Sequence, residues 1–349
     1  MPDTYTSQFS GEEIDSALRA AQIISGASTP AELREKLEIR GDNIPVSAED
    51  STLISEALTK IPTTSGGGVN PNLLDNWYFG RPVNQRGLTE YTTGGVYTLD
   101  RWWMQYDTTL SIVDGGIKIG GKWDMQQYFE NTLPNATYTL SLLYKDRTGS
   151  DPLRLLAGNR ADGDLAQTES KDASGILSVT FSTAKSNKVN FGFTGSTDNS
   201  ATIIAAKLEL GDTQTLAHKE GDKWVLNEIP DYGEQLRRCQ RYCVDVAPSL
   251  SYNSMYGGTL YTAGCDFLVP IPVTLRESDS APVVICNPSE WQVAVVAANA
   301  YFTPTSISVS QTTSGAVALR CLFSHSLSSQ YCDLRKAVDS AKLILSKDL

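Results

Sequence analysis

Apolar and polar residues alternate with a period of two over much of this chain. Tyr138, Leu140, Leu142 and Tyr144 alternate with Thr137, Thr139, Ser141 and Leu143. Successive side chains of a strand point to opposite faces, so this segment is a strand with one strongly apolar face. Leu177, Val179 and Phe181 repeat the pattern, then Val189, Phe191 and Phe193, then Ala206, Leu208 and Leu210. Strands at this spacing with no helical period between them predict an antiparallel β-sandwich of jelly-roll plan over residues 72–212. β character returns after residue 247, with strands predicted over 266–273, 281–287, 291–298, 306–310 and 316–323. Pro270 and Pro272 confine the first of these to a sheet edge or fall at its end. Near the C-terminus, Leu334, Val338, Ala341 and Leu345 fit a helical stripe, and Leu343-Ile344-Leu345-Ser346 fits a strand equally well.

A helical period appears in two places. In residues 1–64, Ser10-x-x-Glu13 and Thr29-x-x-Glu32 are capping boxes and Ser47-x-x-Asp50 is a weaker variant, each opening a short helix. Ile14, Ala17, Leu18 and Ala21 form one apolar face, Leu33 and Leu37 a second, and Leu53, Ile54, Ala57, Leu58 and Ile61 a third. Helices this short are marginal alone, so they need a partner surface. They can pack on the β domains, associate with copies of themselves, or dock on a larger assembly; self-association with docking is the preferred reading, because a Gly/Ser linker follows at 65–71. Residues 213–232 are polar and irregular, a connector with a hairpin tip at Gly221-Asp222-Lys223-Trp224. The second helix is predicted over 233–246, with Leu236, Cys239, Gln240 and Cys243 on one stripe. The expected fold is mainly β: two β-sandwich domains, 72–212 and 233–349, preceded by a short α-helical region.

Composition narrows the function. The chain has 349 residues, 40% of them apolar, and a formal charge of −11. Nucleic-acid affinity comes largely from Lys and Arg displacing counterions, so this balance argues against a nucleic-acid partner. No basic, apolar signal peptide opens the sequence and no window approaches 18 uninterrupted apolar residues, so synthesis and folding in a cytoplasm without membrane insertion are expected. All six cysteines lie between Cys239 and Cys332. Neither His218 nor His325 stands at a metal-binding spacing, so buried free thiols are expected, with no metal and no cofactor.

Those two histidines lack a nucleophile elbow or similar frame, which leaves no catalytic triad, and no phosphate-binding loop is present. Glycoside cleavage needs only two flanking carboxylates; Asp107, Asp114, Asp124 and Glu130 are candidates that read better as turn and surface residues. Aromatic residues carry a stronger signal, since sugars stack on rings while Asp, Asn and Gln take their hydroxyls. Trp102 and Trp103 are consecutive, so only one can enter a sandwich. Trp123 and Tyr128, beside Gly120-Gly121 and Asp124, are candidate glycan contacts. So are Tyr252, Asn253, Tyr256 and Tyr261, in a Tyr/Gly/Ser/Asn-rich stretch read as an adaptable loop. The alternative for these tyrosines is an inter-subunit seam.

Four segments carry a family resemblance: NLLDNWYFGRPVNQRG at 72–87, YTLDRWW at 97–103, KLELGDTQT at 207–215 and YGEQLRRCQRYC at 232–243. Together they resemble the tail fibre proteins of bacteriophages and prophages, and the first sandwich is similar in plan to carbohydrate-binding modules. Similar fibres carry E-L-x-x-C-Q-R-Y-Y in the last segment; here Gln235 replaces the Glu and Cys243 an aromatic. The resemblance implies a non-enzymatic receptor-binding homotrimer in the virion. Its N-terminus would meet tail or baseplate proteins, and its β domains a bacterial surface glycan. In YTLDRWW, Asp100 and Arg101 read as a structural polar pair. A tail-associated polysaccharide hydrolase or esterase and a purely structural connector are the competing readings.

Overall fold

A computed structural model describes residues 70–348 except 131–132, 160–162, 184–187, 194–197, 248–253, 262, 277–279, 296–298 and 325–330. The helices expected in 1–64 and most of the linker lie outside the described residues.

Two six-stranded sheets face each other across the first core. One runs, edge to edge, Glu90–Tyr91, Thr109–Val113, Gly116–Gly120, Ser200–Leu210, Ala136–Thr148 and Gly175–Thr183; the other runs Val96–Tyr97, Trp103–Met104, Asp124–Tyr128, Lys188–Phe193, Leu153–Asn159 and Gly163–Ser170. The alternation at 138–144 sets the register. Leu177 faces Leu142, Val179 faces Leu140, and Phe181 faces Tyr138 with the rings stacked at 5.9 Å. Such cross-strand pairs are the unit of sheet stabilisation.

The segment after Asn70 zips along Ser200–Leu210: Leu73 N donates to Leu208 O, Ala206 N to Trp77 O, and Phe79 N to Ile204 O. The Asn72 side chain secures this seam by donating to Ala206 O and accepting from Leu74 N and Leu208 N.

The connector is more ordered than its polarity implies. Ala217–Glu220 pairs with Lys223–Leu226 as a hairpin turning at Gly221, whose φ of +62° suits glycine. Leu216 and Ala217 are buried with the first core. Lys207, fully buried, donates to Thr215 and Glu228 at 2.9 Å and lies 3.6 Å from the equally buried Glu209. Glu209 in turn accepts from Thr215 N. The KLELGDTQT segment is thus an ion-pair knot clasping the connector to the sheet.

The helix spans Tyr232–Gln240, with Asp231 capping Glu234 N at 2.8 Å. It is shorter than the 233–246 predicted. Cys243–Asp245 leaves as a strand paired with Ile344–Ser346, so Cys239 and Cys243 do not share a helical face. That pairing also makes the C-terminal LILS segment a strand, beside Val283–Ile285. Over this three-stranded sheet lies a seven-stranded one, ordered Ala300–Phe302, Trp291–Val295, Tyr331–Lys336, Ser254–Tyr261, Gly264–Pro270, Ala316–Leu322 and Ser306–Thr312. Pro270 ends its strand. Phe267, Trp291, Val293, Leu319, Leu334 and Leu345 fill this second core.

Candidate functional site

Three of the segments that carry the family resemblance, 72–87, 97–103 and 232–243, converge on a buried joint between the first sandwich and the helix. Asn76, at φ +52°, donates to Val83 O and Asp100 O, and its N–H donates to Gln235 Oε1 of the helix at 2.8 Å. Trp102 Nε1 donates to Asn76 O. The Asp75 carboxylate takes Arg101 Nε at 3.0 Å and Arg238 Nη2 at 2.7 Å, and the Arg101 guanidinium lies 3.6 Å from the ring centre of Tyr242. Asp100 accepts from Gln85 and Arg86, and Arg86 reaches on to Asp348. Asp100 and Arg101 are 0% and 1% exposed, so neither meets a receptor. They do not pair with each other: each holds a different neighbour.

Desolvation raises the Asp100 carboxyl from the ordinary 3.8 to about 6, outweighing the opposing pull of Gln85 and Arg86. The folded state therefore binds this proton more tightly than the unfolded chain. Its contribution to stability is complete below pH ~4 and is lost as pH rises through ~6. Urea unfolding between pH 4 and 7 should show Asp100→Asn removing a fall on the order of 2–3 kcal/mol relative to the parent. Parallel pH curves for the two proteins would contradict this origin.

A different arrangement occupies the outer face of the second sheet. Register sets Tyr97 opposite Trp103 and Trp103 opposite Gln126; across the Lys188–Phe193 strand the same row continues to Leu156 and Gln167. The inward row beside it contains Met104, Met125 and Leu155, so the Trp103 row faces away from the core. Trp102 is fully buried and Trp103 half-buried, dividing the tryptophan doublet between the two faces.

Polar groups are wired together on that outer face. Tyr128 Oη donates to Gln126 Oε1 at 2.9 Å; Gln126 Nε2 donates to Gln105 Oε1 and Asp124 Oδ2, both at 3.1 Å. Gln126 and Asp124 are 2% and 1% exposed, whereas Trp103, Gln105 and Tyr128 are half-buried. The buried pair thus fixes the orientation of the more accessible groups. Burial, with the nearby Asp124 carboxylate, raises the Tyr128 hydroxyl pKa and keeps it a donor at neutral pH. Further along the sheet, Arg154 pairs with Glu169 at 2.9 Å. A ring beside pre-oriented amide and hydroxyl groups can stack on one face of a sugar and hydrogen-bond its edge.

The sequence-derived contacts fare unequally. Tyr128 lies on this face. Trp123 does not: it is fully buried in the core, in phase with Met125, so its ring is not available for stacking. Tyr252 and Asn253 lie outside the described residues. Tyr256 belongs to an inner strand, Ser254–Tyr261, rather than a loop; it packs against the second core and donates to Val246 O, and desolvation raises its pKa to about 12. Tyr261 ends the same strand. The Gly257-Gly258 doublet, read as loop punctuation, makes room instead. A Cβ at Gly257 would meet Tyr331 Oη at 2.2 Å, and one at Gly258 would meet Asp266 O at 2.4 Å.

The candidate carboxylates have separate engagements. Asp107 accepts from Gly94 N, Glu130 faces Arg241 and Tyr242, and Asp124 holds Gln126. The cysteines are free, and five of the six are buried. Among the described residues no cluster of His, Cys, Asp and Glu could hold a metal. No described helix is long and apolar enough to cross a membrane.

No protein-family model and no curated protein matches the chain. Solved structures similar to it include a variant of the family 29 carbohydrate-binding module CBM29-2, at 10% identity and a TM-score of 0.24, covering 35% of this chain and 91% of that one. Another is TmCBM61 in complex with β-1,4-galactotriose, at 11% identity and a TM-score of 0.24, covering 40% of this chain and 99% of that one. A third is the tandem CBM22 domain of Paenibacillus barcinonensis Xyn10C, at 12% identity and a TM-score of 0.27, covering 80% and 99%. Likenesses this distant identify no ligand for this chain.

Proposed function

We propose that this protein is a non-enzymatic attachment protein of the bacteriophage tail fibre type, which holds a bacterial surface glycan on the outer face of its second sheet. The observation that carries the glycan reading is the half-buried Trp103 beside the Tyr128–Gln126–Asp124 chain of hydrogen bonds. The tail-fibre reading rests on the four sequence segments, three of which meet at the joint. In this proposal the N-terminal region docks on tail or baseplate proteins and assembles three copies in the virion. Trimerisation would multiply a weak single-site sugar affinity by avidity. The joint suits such a fibre, because a buried hydrogen-bonded junction transmits orientation from one sandwich to the next.

Trp103→Ala is expected to weaken binding to host cells or their purified surface polysaccharide by about tenfold or more per site, about 1.4 kcal/mol, with unfolding unchanged apart from the lost ring. Cell binding equal to the parent would remove the outer face from consideration. Light scattering on the full chain is expected to give the mass of three copies; a monomer would remove the trimeric fibre.

A further inference from the structure

The hydrogen bonds beside Trp103 have a direction, and Asp124 sets it. An ionised carboxylate only accepts, so the Gln126 atom 3.1 Å from Asp124 Oδ2 is the amide nitrogen Nε2. The same nitrogen stands 3.1 Å from the Gln105 carboxamide, which therefore meets it with its carbonyl Oε1. The Gln105 amide nitrogen is thereby turned away from Gln126. At the other end Gln126 Oε1 accepts from Tyr128 Oη. Reversing the Gln126 amide would set its oxygen against the Asp124 carboxylate, two acceptors at residues only 2% and 1% exposed.

Gln105 is fixed in position as well as in direction. Its backbone N–H donates to Asp124 O at 3.0 Å, continuing the ladder in which Trp103 faces Gln126 and Met104 faces Met125. It follows Trp103 by two residues, on the same outward side of the extended chain. Both side chains are half-buried. Gln105 Nε2 has no second hydrogen-bond partner among the described residues. The face thus offers an indole ring and, beside it, an N–H donor oriented before any ligand arrives.

A donor held in one orientation discriminates among the substituents of a sugar. An ammonium group has only hydrogens to give and leaves the donor unpaired, which costs more than a hydrogen bond gains. A hydroxyl accepts only after turning. An acetamido group presents a carbonyl, the strongest acceptor of the three, and a methyl group that suits an aromatic surface.

We infer that the Trp103 face selects an N-acetylated amino sugar, its acetamido carbonyl accepting from Gln105 Nε2 and its methyl group lying against the Trp103 ring. This deepens the glycan reading of the outer face and rests on it. Trp103 supplies the stacking surface, Gln105 the choice of substituent, and Asp124 acts through Gln126 as a positioning residue.

The test is calorimetric titration of the full chain with three trisaccharides of one backbone: N,N′,N″-triacetylchitotriose, cellotriose, and the glucosamine trimer of chitosan. They carry an acetamido, a hydroxyl and an ammonium group at the same carbon. The acetylated trimer is expected to bind in the millimolar range or tighter, and the other two at least about tenfold more weakly. Gln105→Glu keeps the side-chain shape and the oxygen that accepts from Gln126, but puts an oxygen where Nε2 stood. It should weaken the acetylated trimer at least about tenfold and remove the preference. Asp124→Asn can donate as well as accept, so it releases the order of the bonds and should shrink the preference in a protein whose circular dichroism is that of the parent. If Asp124→Asn fails to fold, Gln105→Glu at its half-buried position decides alone. Equal affinity for the acetylated trimer and cellotriose, or a preference that survives Gln105→Glu, overturns the inference. So does the absence of binding by all three trimers. In that case the glycan face still stands if Trp103→Ala weakens attachment to host cells, and falls as well if attachment is unchanged.

Discussion

Asp75→Ala is expected to destabilise the protein by about 3–5 kcal/mol, the usual cost of leaving a buried charge without its partner. Arg101 is 1% exposed, and Asp75 is its carboxylate partner at 3.0 Å. Its Nη2 already donates to Tyr128 O, its face covers Tyr242, and Nη1 is buried with no partner among the described residues. Removing the carboxylate therefore strands a guanidinium that is 1% exposed in the intact joint. Arg238 loses the same carboxylate but is 30% exposed in its side chain and can be hydrated. Urea unfolding measures the loss, and limited proteolysis should find the segment around Tyr232–Gln240 cut faster than in the parent. A change below about 1 kcal/mol would show that the joint takes up water freely and transmits little orientation.

Lys207→Met is expected to cost a similar amount, about 3–5 kcal/mol, for a different geometric reason. Lys207 and Glu209 are both fully buried beneath the connector, whereas Glu228, the second carboxylate, is 35% exposed in its side chain. After the substitution Glu228 can turn to water, and Glu209 cannot. Adding Glu209→Gln removes the stranded charge and keeps an acceptor for Thr215 N, so the double variant should recover most of the loss. This recovery separates the ion pair from simple packing, since residues in one network are not additive. A double variant as unstable as the single one would assign the effect to the methionine side chain.

The core of the first sandwich is legible because burial on one face of a strand leaves a period of two in the sequence. Tyr138 through Tyr144 and Leu177 through Phe181 read correctly from that alone. The same parity rule placed one ring of Trp102-Trp103 inside and the other outside. Applied to Trp123 and Tyr128, five positions apart, it would have put them on opposite faces as well; grouping them by nearby glycines hid this. The glycine doublet at 257–258 misled for a related reason. Glycine marks both turns and close approaches, and only the Phe267 ring on the paired strand and the Tyr331 ring, far away in sequence, show that this is an approach.

Local sequence determined the antiparallel β character, the apolar phase of most strands, the start of the helix after Asp231 and the hairpin at Gly221, because each depends on residues within a few positions of one another. Tertiary structure alone decided where the polar residues meet. Arg86 reaches Asp348 across 262 positions, Asn76 reaches Gln235 across 159, and Arg276 reaches Lys347 across 71. Cys243 left the helix because its backbone found Ser346 as a strand partner. A buried ion pair or a long-range side-chain hydrogen bond has no periodic trace in sequence, since its partners are chosen by chain packing and the cost of an unpaired buried polar group.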